Sequence, residues 1–211
     1  YVRMQPMIIT YFGKQFFKIE QGKLTMAFNP VSKSSKVGIT AKFGADIALV
    51  TTNHPDYNGF ENTSYGENEA FVINGPGDYE VNEIFISGVP SSTELDGKKY
   101  LNTIYSVSLE DMNICFLGTH GADSLTAQER EVIGSPDIVF VPVNYLYLDP
   151  DKAYKLATSL EAAIIIPMDY DEKSLKAFLK EAGGESVKPV DKLTLKKKDL
   201  TGKQGEVIVI D

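Results

Sequence analysis

The sequence predicts an α/β sandwich, in which two facing β-sheets form the centre and helices cover the outside. The first half of the 211-residue chain contains a succession of short strand-like segments, whereas the second half alternates buried strands with helices. Neither an internal repeat nor a low-complexity linker divides the chain. We therefore expect one domain over residues 1–211, with a strand-rich half over about 7–117 and an α/β half over about 118–211.

Short apolar or alternating segments, bounded by turn residues, mark the strands of the first half. Turns at Gly13 and Gly22 join the first three of them. A stretch of charged and small residues follows, and we expect a short helix there over residues 33–43. Polar residues over 90–97 predict a loop. The predicted strands cover residues 8–13, 16–20, 24–28, 46–50, 70–73, 79–81, 84–89, 102–109 and 113–117.

Capping signals define the helices of the second half. Thr126 and Glu129 have the spacing of a capping box at the start of one helix. Asp149 precedes Pro150 at the start of the next helix, a usual place for a cap and a proline. Gly183 ends the third, because glycine readily takes the conformation that terminates a helix. The predicted helices cover 125–133, 150–160 and 171–182, and the predicted strands of this half cover 137–141, 162–166 and 206–210.

The composition favours a cytoplasmic protein. With 43% hydrophobic residues the chain can bury a large core, yet no stretch approaches the roughly 18 apolar residues that a membrane helix needs. Residues 1–7 lack the apolar core of a signal peptide, and we expect the natural start at Met4 or Met7. The single cysteine, Cys115, excludes an internal disulfide and is expected to be buried and inert in an apolar strand.

The charge disfavours nucleic acid as a partner. The formal charge is −8, and attraction to phosphates supplies most of the affinity of nucleic-acid-binding proteins. One basic run, 192–198 with Lys203 beyond it, is interpreted as a strand with a solvated lysine face, which would also discourage edge-to-edge pairing. A phosphate-binding patch is the alternative for these lysines. A homo-oligomer is compatible with the sequence, and no other partner is predicted.

A polar loop after the strand at 46–50 carries the most informative motif. It contains Thr51, His54 and Asp56, followed by a turn that ends at Gly59. Loops held by a rigid strand often carry functional groups. This loop resembles the metal-binding segment of the metallo-β-lactamase-fold hydrolases, Thr-His-x-His-x-Asp-His. Thr52 and Tyr57 stand where that pattern has its other two histidines.

The resemblance extends along nearly the whole chain and implies a four-layer αββα sandwich with metal ligands on loops at one edge. The loop at 88–94 has Thr93 near the position of a family histidine. The segment 116–121 resembles Leu-Gly-Asp-x-Gly, with Thr119 in place of the bridging Asp, and 166–170 resembles Ile-Pro-Met-His-Tyr, with Asp169 in place of His. Of seven ligand positions, His54 and Asp56 match, and the others are occupied by Thr52, Tyr57, Thr93, Thr119 and Asp169.

The supply of ligands decides the functional interpretation. The chain has two histidines, His54 and His120, whereas the family's dinuclear site is built mostly from histidines. A catalytic zinc normally needs three protein ligands and lowers the pKa of its bound water to about 7. Neutral Thr and Tyr hydroxyls are poor zinc ligands. We therefore expect a degenerate site with no catalytic residue and no cofactor, in a non-catalytic binding or scaffold protein.

Two other interpretations remain open. His54, Asp56, His120 and Asp169 could converge on one divalent metal, Zn, Mn or Fe, and form a remodelled mononuclear hydrolase site. In the simpler version, His54 and Asp56 only support their loop by hydrogen bonds, and His120 is a solvent-exposed turn residue. The third interpretation is an RNA-associated member of the family, which would bind through the lysines at 196–198.

Overall fold

The computed structural model describes residues 5–184 and 187–211, so the expected start at Met4 lies outside the described residues. The strands are β1 (Met7–Tyr11), β2 (Phe17–Gln21), β3 (Leu24–Phe28), β4 (Ile47–Leu49), β5 (Phe71–Ile73), β6 (Gly77–Val81), β7 (Ile84–Leu95), β8 (Lys98–Leu109), β9 (Met112–Phe116), β10 (Ile138–Pro142), β11 (Ile164–Met168), β12 (Leu193–Leu195) and β13 (Glu206–Val207). The α-helices are α1 (Ala127–Ile133), α2 (Pro150–Thr158) and α3 (Glu172–Glu181), and short 3-10 helices cover Phe60–Asn62 and Lys197–Leu200.

The strands form two mixed sheets. The first sheet has the order β12-β1-β2-β3-β4-β5, with parallel pairing only from β3 to β5. The second has the order β13-β11-β10-β9-β8-β7-β6, with parallel pairing from β9 to β13. Residues of α1, α2 and α3 pack in one apolar cluster with the outer face of the second sheet. The predicted fold class is therefore confirmed.

The two sheets face each other across a core of aromatic side chains. Phe17 of the first sheet meets Phe140 of the second edge-on, with ring centroids 4.8 Å apart. Phe28 and Phe116 make a second contact between the sheets at 5.0 Å. All four rings are completely buried. Aromatic pairs of this kind add to the gain from area burial, and they hold β2 and β3 of the first sheet against β9 and β10 of the second.

The predicted helix over 33–43 is wrong. Ile39, Ala41 and Phe43 pack on the outer face of the first sheet at alternate positions, while Thr40 and Lys42 are exposed. A period of two is the pattern of extended chain, and a helix would have turned one of these apolar side chains to solvent. The outer face of the first sheet is therefore covered by extended chain.

The predicted loop over 90–97 is also wrong, because β7 continues as far as Leu95. It pairs with β8 along its whole length and turns at Asp96 and Gly97, which both have positive φ. β6 pairs only with residues 84–88 of β7, so that Pro90 lies where β7 has become an edge strand. Proline is tolerated at an edge because no partner needs its missing N–H.

The other predicted elements are present with shifted ends. Thr126 and Glu129 form the expected capping box of α1, whereas the Asp149 side chain makes no capping hydrogen bond to α2. The basic run contains only the short β12 before it turns into a 3-10 helix. In that run Lys197 contacts both carboxylate oxygens of Asp137 at 2.8 Å.

Cys115 is completely buried in β9, as predicted, and burial raises the pKa of its thiol well above the ordinary value. Among residues 5–184 and 187–211, no helix is both long enough and apolar enough to cross a bilayer.

The polar loop after β4 lies flat against the segment that follows β3, and Gly59 permits this approach. The Gly59 N–H donates to Pro30 O at 2.6 Å, and a Cβ atom on Gly59 would lie 2.1 Å from the Val31 carbonyl carbon.

We expect Gly59→Ala to lower the free energy of unfolding by about 3 kcal/mol or more in urea titrations, because the backbone around residue 59 would have to move. Gly75→Ala, with nothing within 4 Å of the new Cβ, is the control and should change it by less than about 0.5 kcal/mol. Equal effects of the two substitutions would contradict this account.

Candidate functional site

Six of the seven positions lie on loops that meet at one edge of the sandwich. Thr52 to Tyr57 follow β4, Thr119 follows β9 and Asp169 follows β11, while Thr93 lies within β7. Thr52 contacts Thr119 directly, and Tyr57 contacts Asp169. Thr93 is buried without a hydrogen-bond partner for its hydroxyl in the described part of the chain. The side chains between these contacts determine what the edge can do.

A pair of threonines lies at the centre of the edge. The hydroxyl oxygens of Thr52 and Thr119 are 2.7 Å apart, and each side chain is at most 1% exposed. Each hydroxyl oxygen lies 3.2 Å from Asn102 Oδ1, so that one hydroxyl can donate to the other while the second donates to Asn102 Oδ1, which also accepts from the Thr119 N–H at 2.9 Å. The Asn102 amide group donates in turn to Ser91 Oγ and Leu117 O. These polar groups therefore satisfy one another without a ligand.

A second set of amides extends the contacts into the first sheet. Asn29 donates to Thr51 Oγ1 at 2.9 Å and to Gln15 Oε1 at 2.8 Å, and it accepts from the Thr51 N–H. Gln15 Nε2 reaches Asp169 Oδ2 at 3.3 Å. Asn29 and Gln15 are completely buried. A continuous polar network thus runs from Asn102 in the second sheet, through the threonines and amides, to Asp169.

Asp169 lies at the other end of this network, and several donors converge on its carboxylate. Its Oδ2 accepts hydrogen bonds from the hydroxyls of Tyr57, at 2.7 Å, and Tyr147. Burial, and then the nearby Asp169 carboxylate, raise the pKa of both tyrosines well above the ordinary value, so they remain donors. The Lys14 ammonium lies 3.3 Å from Asp169 Oδ1 and 3.9 Å from Asp56 Oδ2. Four side chains therefore converge on one buried carboxylate.

His54 and Asp56 lie at the outer rim of the site. His54 Nδ1 accepts from the Asp56 N–H at 3.3 Å and lies 4.0 Å from the Asp56 carboxylate, which accepts from Ser35 Oγ at 2.5 Å. The His54 ring meets Tyr100 edge-on at 5.6 Å, and its Nε2 is 3.8 Å from Asp96 at the tip of the β7–β8 hairpin. These contacts tie the loop to its neighbours.

His120 does not lie where a solvent-exposed turn residue would. It is 2% exposed, and neither ring nitrogen has a hydrogen-bond partner among the described residues. Burial lowers its pKa, although the carboxylate of Glu129 opposes the shift. The ring lines a cavity of about 340 Å³, whose other walls include Ser92 and Ser124, on a different side from the Asp169 contacts. The expectation of an exposed His120 is therefore wrong.

The donor set does not fit the dinuclear metal centre that the family resemblance implies. The hydroxyls of Thr52 and Thr119 hydrogen-bond to each other and to Asn102, and the Asp169 carboxylate already accepts from Tyr57 and Tyr147. In the part of the chain that the structure describes, no three His, Cys, Asp or Glu side chains are grouped closely enough to hold a metal ion. Neutral hydroxyls are weak ligands for zinc, which prefers imidazole, thiolate and carboxylate.

Sequence reasoning did not find four residues on which this arrangement depends: Lys14, Gln15, Asn29 and Asn102. Their hydrogen-bond partners are distant in sequence, since Gln15 and Asp169 are 154 residues apart. One signal was available. Asn102 begins the predicted strand at 102–109, where an amide that becomes buried needs a specific partner.

Comparison with known proteins gives a consistent result. A sequence profile described as the beta-lactamase superfamily domain matches residues 8–169, more than three quarters of the chain. The fold is similar to that of a candidate Zn-dependent hydrolase of the metallo-beta-lactamase superfamily from Thermotoga maritima, with 30% identity, a TM-score of 0.77 and coverage of 97% of this chain and 98% of that one. No curated protein matches the chain.

Two more distant structures share the fold alone. A candidate metal-dependent hydrolase from Parabacteroides distasonis has 18% identity and a TM-score of 0.64, over 97% of this chain and 92% of that one. A novel metallo hydrolase from the archaeon Ignicoccus hospitalis has 17% identity and a TM-score of 0.62, over 90% of this chain and 99% of that one.

The amide of Asn102 offers a direct test of the network. Asn102→Ala would leave Thr52, Thr119 and Leu117 O without their shared partner in a buried place. We expect it to lower the free energy of unfolding by about 3 kcal/mol in urea titrations, because unsatisfied buried groups are costly. Asn113→Ala, which removes one exposed contact with Ser108, is the control and should cost less than about 0.5 kcal/mol. A small loss for Asn102→Ala would show that the network contributes little.

The buried His120 predicts a dependence of stability on pH. Its pKa in the folded chain is below the value of about 6.5 expected when unfolded, so the unfolded chain binds a proton more readily. The stabilisation from a neutral His120 is therefore complete above about pH 6.5 and is lost as pH falls towards the folded pKa. We expect His120→Gln to flatten the decline of the free energy of unfolding between about pH 7 and 5. Parallel curves for the two proteins would refute this assignment.

Proposed function

The chain belongs to the metallo-β-lactamase superfamily, and from that premise we propose that it is a non-catalytic binding or scaffold member. In this proposal the ligand positions of the family's metal centre have been taken over by contacts that hold the loops together. The chemistry of metal-dependent hydrolysis depends on a cation that activates water and polarises the scissile bond. Residues that serve only to connect loops cannot supply it.

The observation that carries the proposal is the contact between Thr52 and Thr119. These residues stand at the positions of a ligand histidine and of the bridging aspartate, and their hydroxyls are 2.7 Å apart. Two oxygens at hydrogen-bonding distance leave no space for a cation between them. Both side chains are buried and share Asn102 as partner, so separating them would break several hydrogen bonds at once.

The surroundings of Asp169 support the same conclusion. A metal at Oδ2 of this carboxylate would have to displace Tyr57, Tyr147 and Gln15, which donate to it, and a metal at Oδ1 would have to displace the Lys14 ammonium. Those donors come from three separate segments, and releasing them would loosen the edge of the sandwich. The contacts act as a structural substitute for coordination.

We expect inductively coupled plasma mass spectrometry of the purified protein to detect less than about 0.1 zinc, manganese or iron ions per chain. We also expect no EDTA-sensitive hydrolysis of phosphoester, lactone and thioester substrates. An established zinc hydrolase, purified and assayed in parallel, controls for loss of metal during preparation. A stoichiometric metal that survives dialysis would contradict the proposal.

A second candidate function is favoured by the similarity to the Thermotoga maritima protein, which is described as a candidate Zn-dependent hydrolase. This candidate is a mononuclear hydrolase that uses His54, Asp56 and Asp169, with His120 turned towards them. It requires activity that EDTA abolishes and that His54→Ala removes. Activity that survives His54→Ala would exclude this site as its origin.

A further inference from the structure

A buried carboxylate needs a counter-charge, and Asp169 is such a group. Its side chain is 2% exposed, and the donors to Oδ2 are two tyrosine hydroxyls and an amide, which are all neutral. Neutral donors satisfy lone pairs but leave the charge uncompensated, which is costly inside a protein. The ammonium that contacts Asp169 Oδ1 at 3.3 Å belongs to Lys14.

The fold fixes both the backbone and the side chain of Lys14 next to Asp169. Its backbone has φ of 56°, a left-handed conformation that costs energy for a residue with a side chain. Its carbonyl oxygen accepts from the Asp169 N–H at 2.6 Å and from the Tyr11 hydroxyl at 2.8 Å. The turn between β1 and β2 is thus bound to Asp169 through the backbone and the side chain of Lys14, and through Gln15 beside it.

The Lys14 ammonium also lies near a second carboxylate, that of Asp56. Lys14 Nζ lies 3.9 Å from Asp56 Oδ2, so it lies between Asp56 and Asp169, which come from loops 113 positions apart in the sequence. Both residues stand at positions matched to metal ligands of the family. The Lys14 side chain is 26% exposed, so its head reaches the site from the rim.

We propose that Lys14 is the resident cation of this site and takes the electrostatic place of a metal ion. A single positive charge joins the loop after β4 to the loop after β11, which is the connection that a coordinated metal would make. The proposal rests on the proposed non-catalytic function. It predicts that removal of the ammonium leaves two carboxylates without a cation and creates an affinity for divalent metal that the natural protein lacks.

The test is Lys14→Met, measured by thermal unfolding with EDTA and with about 1 mM Mn²⁺ or Zn²⁺. We expect the Tm in EDTA to fall by about 5 °C or more, and metal to restore at least half of the loss, while the natural protein responds to neither addition. Isothermal titration should detect about one bound metal per chain in the variant.

Two variants serve as controls. Lys18→Met removes a lysine of similar exposure on β2, whose partner is Glu20 at 3.1 Å, and should lower the Tm by less than about 2 °C without any response to metal. Lys14→Met combined with Asp169→Asn should lose the response to metal, because one of the two carboxylates is gone.

Each outcome bears on the proposal. If Lys14→Met is as stable as the natural protein, or is destabilised and not restored by any divalent cation, Lys14 is an ordinary ion pair and the proposal is overturned. Metal analysis of the natural protein separates this failure from that of the proposed function. A metal-free natural protein with an unresponsive variant refutes only the role of Lys14, whereas stoichiometric metal in the natural protein refutes both.

Discussion

The arrangement of the loops at the candidate site depends on the carboxylate of Asp169. It is buried, and it draws together the hydroxyls of Tyr57 and Tyr147, the amide of Gln15 and the ammonium of Lys14. These groups come from three loops that the strands alone would not connect. The cost of leaving a buried charge unpaired is large enough to hold those loops in one arrangement. The geometry of the edge follows from satisfying this one side chain.

The polar network explains how a site of this kind can remain well ordered without a ligand. Asn102 and Asn29 act as connectors, since each amide offers donors and an acceptor to several partners at once. Their partners are threonine hydroxyls, which can donate and accept as needed. Such a network fixes the positions of its members, because each hydrogen bond restricts the side chains on both of its sides.

Much of the fold could be predicted because its strands carry local signals. The apolar run of β10 predicts a buried strand, and the capping box of α1 predicts the start of a helix. The segment at 33–43 could not be assigned so easily, because the surface that buries Ile39 and Phe43 is built from distant strands. The length of β7 was hidden by Pro90, which is acceptable because β6 pairs with β7 only as far as Gly88.

The position of the site could also be recognised from the sequence, since His54 and Asp56 stand in a recognisable motif. The contacts among its buried side chains could not be predicted. The roles of Lys14 and Asn102 depend on side chains that meet only after both sheets have formed, and a lysine in a turn ordinarily signals exposure. The burial of His120 likewise depends on the neighbouring α1, which supplies Glu129 beside it.

The shared use of Asn102 by Thr52 and Thr119 has an evolutionary consequence. A Thr119→Asp substitution alone would bring a negative charge against the Asn102 side-chain carbonyl oxygen, with no cation there to offset it. Under the proposed function, a change at one position alone therefore lowers stability before a cation can offset it, so a metal site could form here only if several residues changed together.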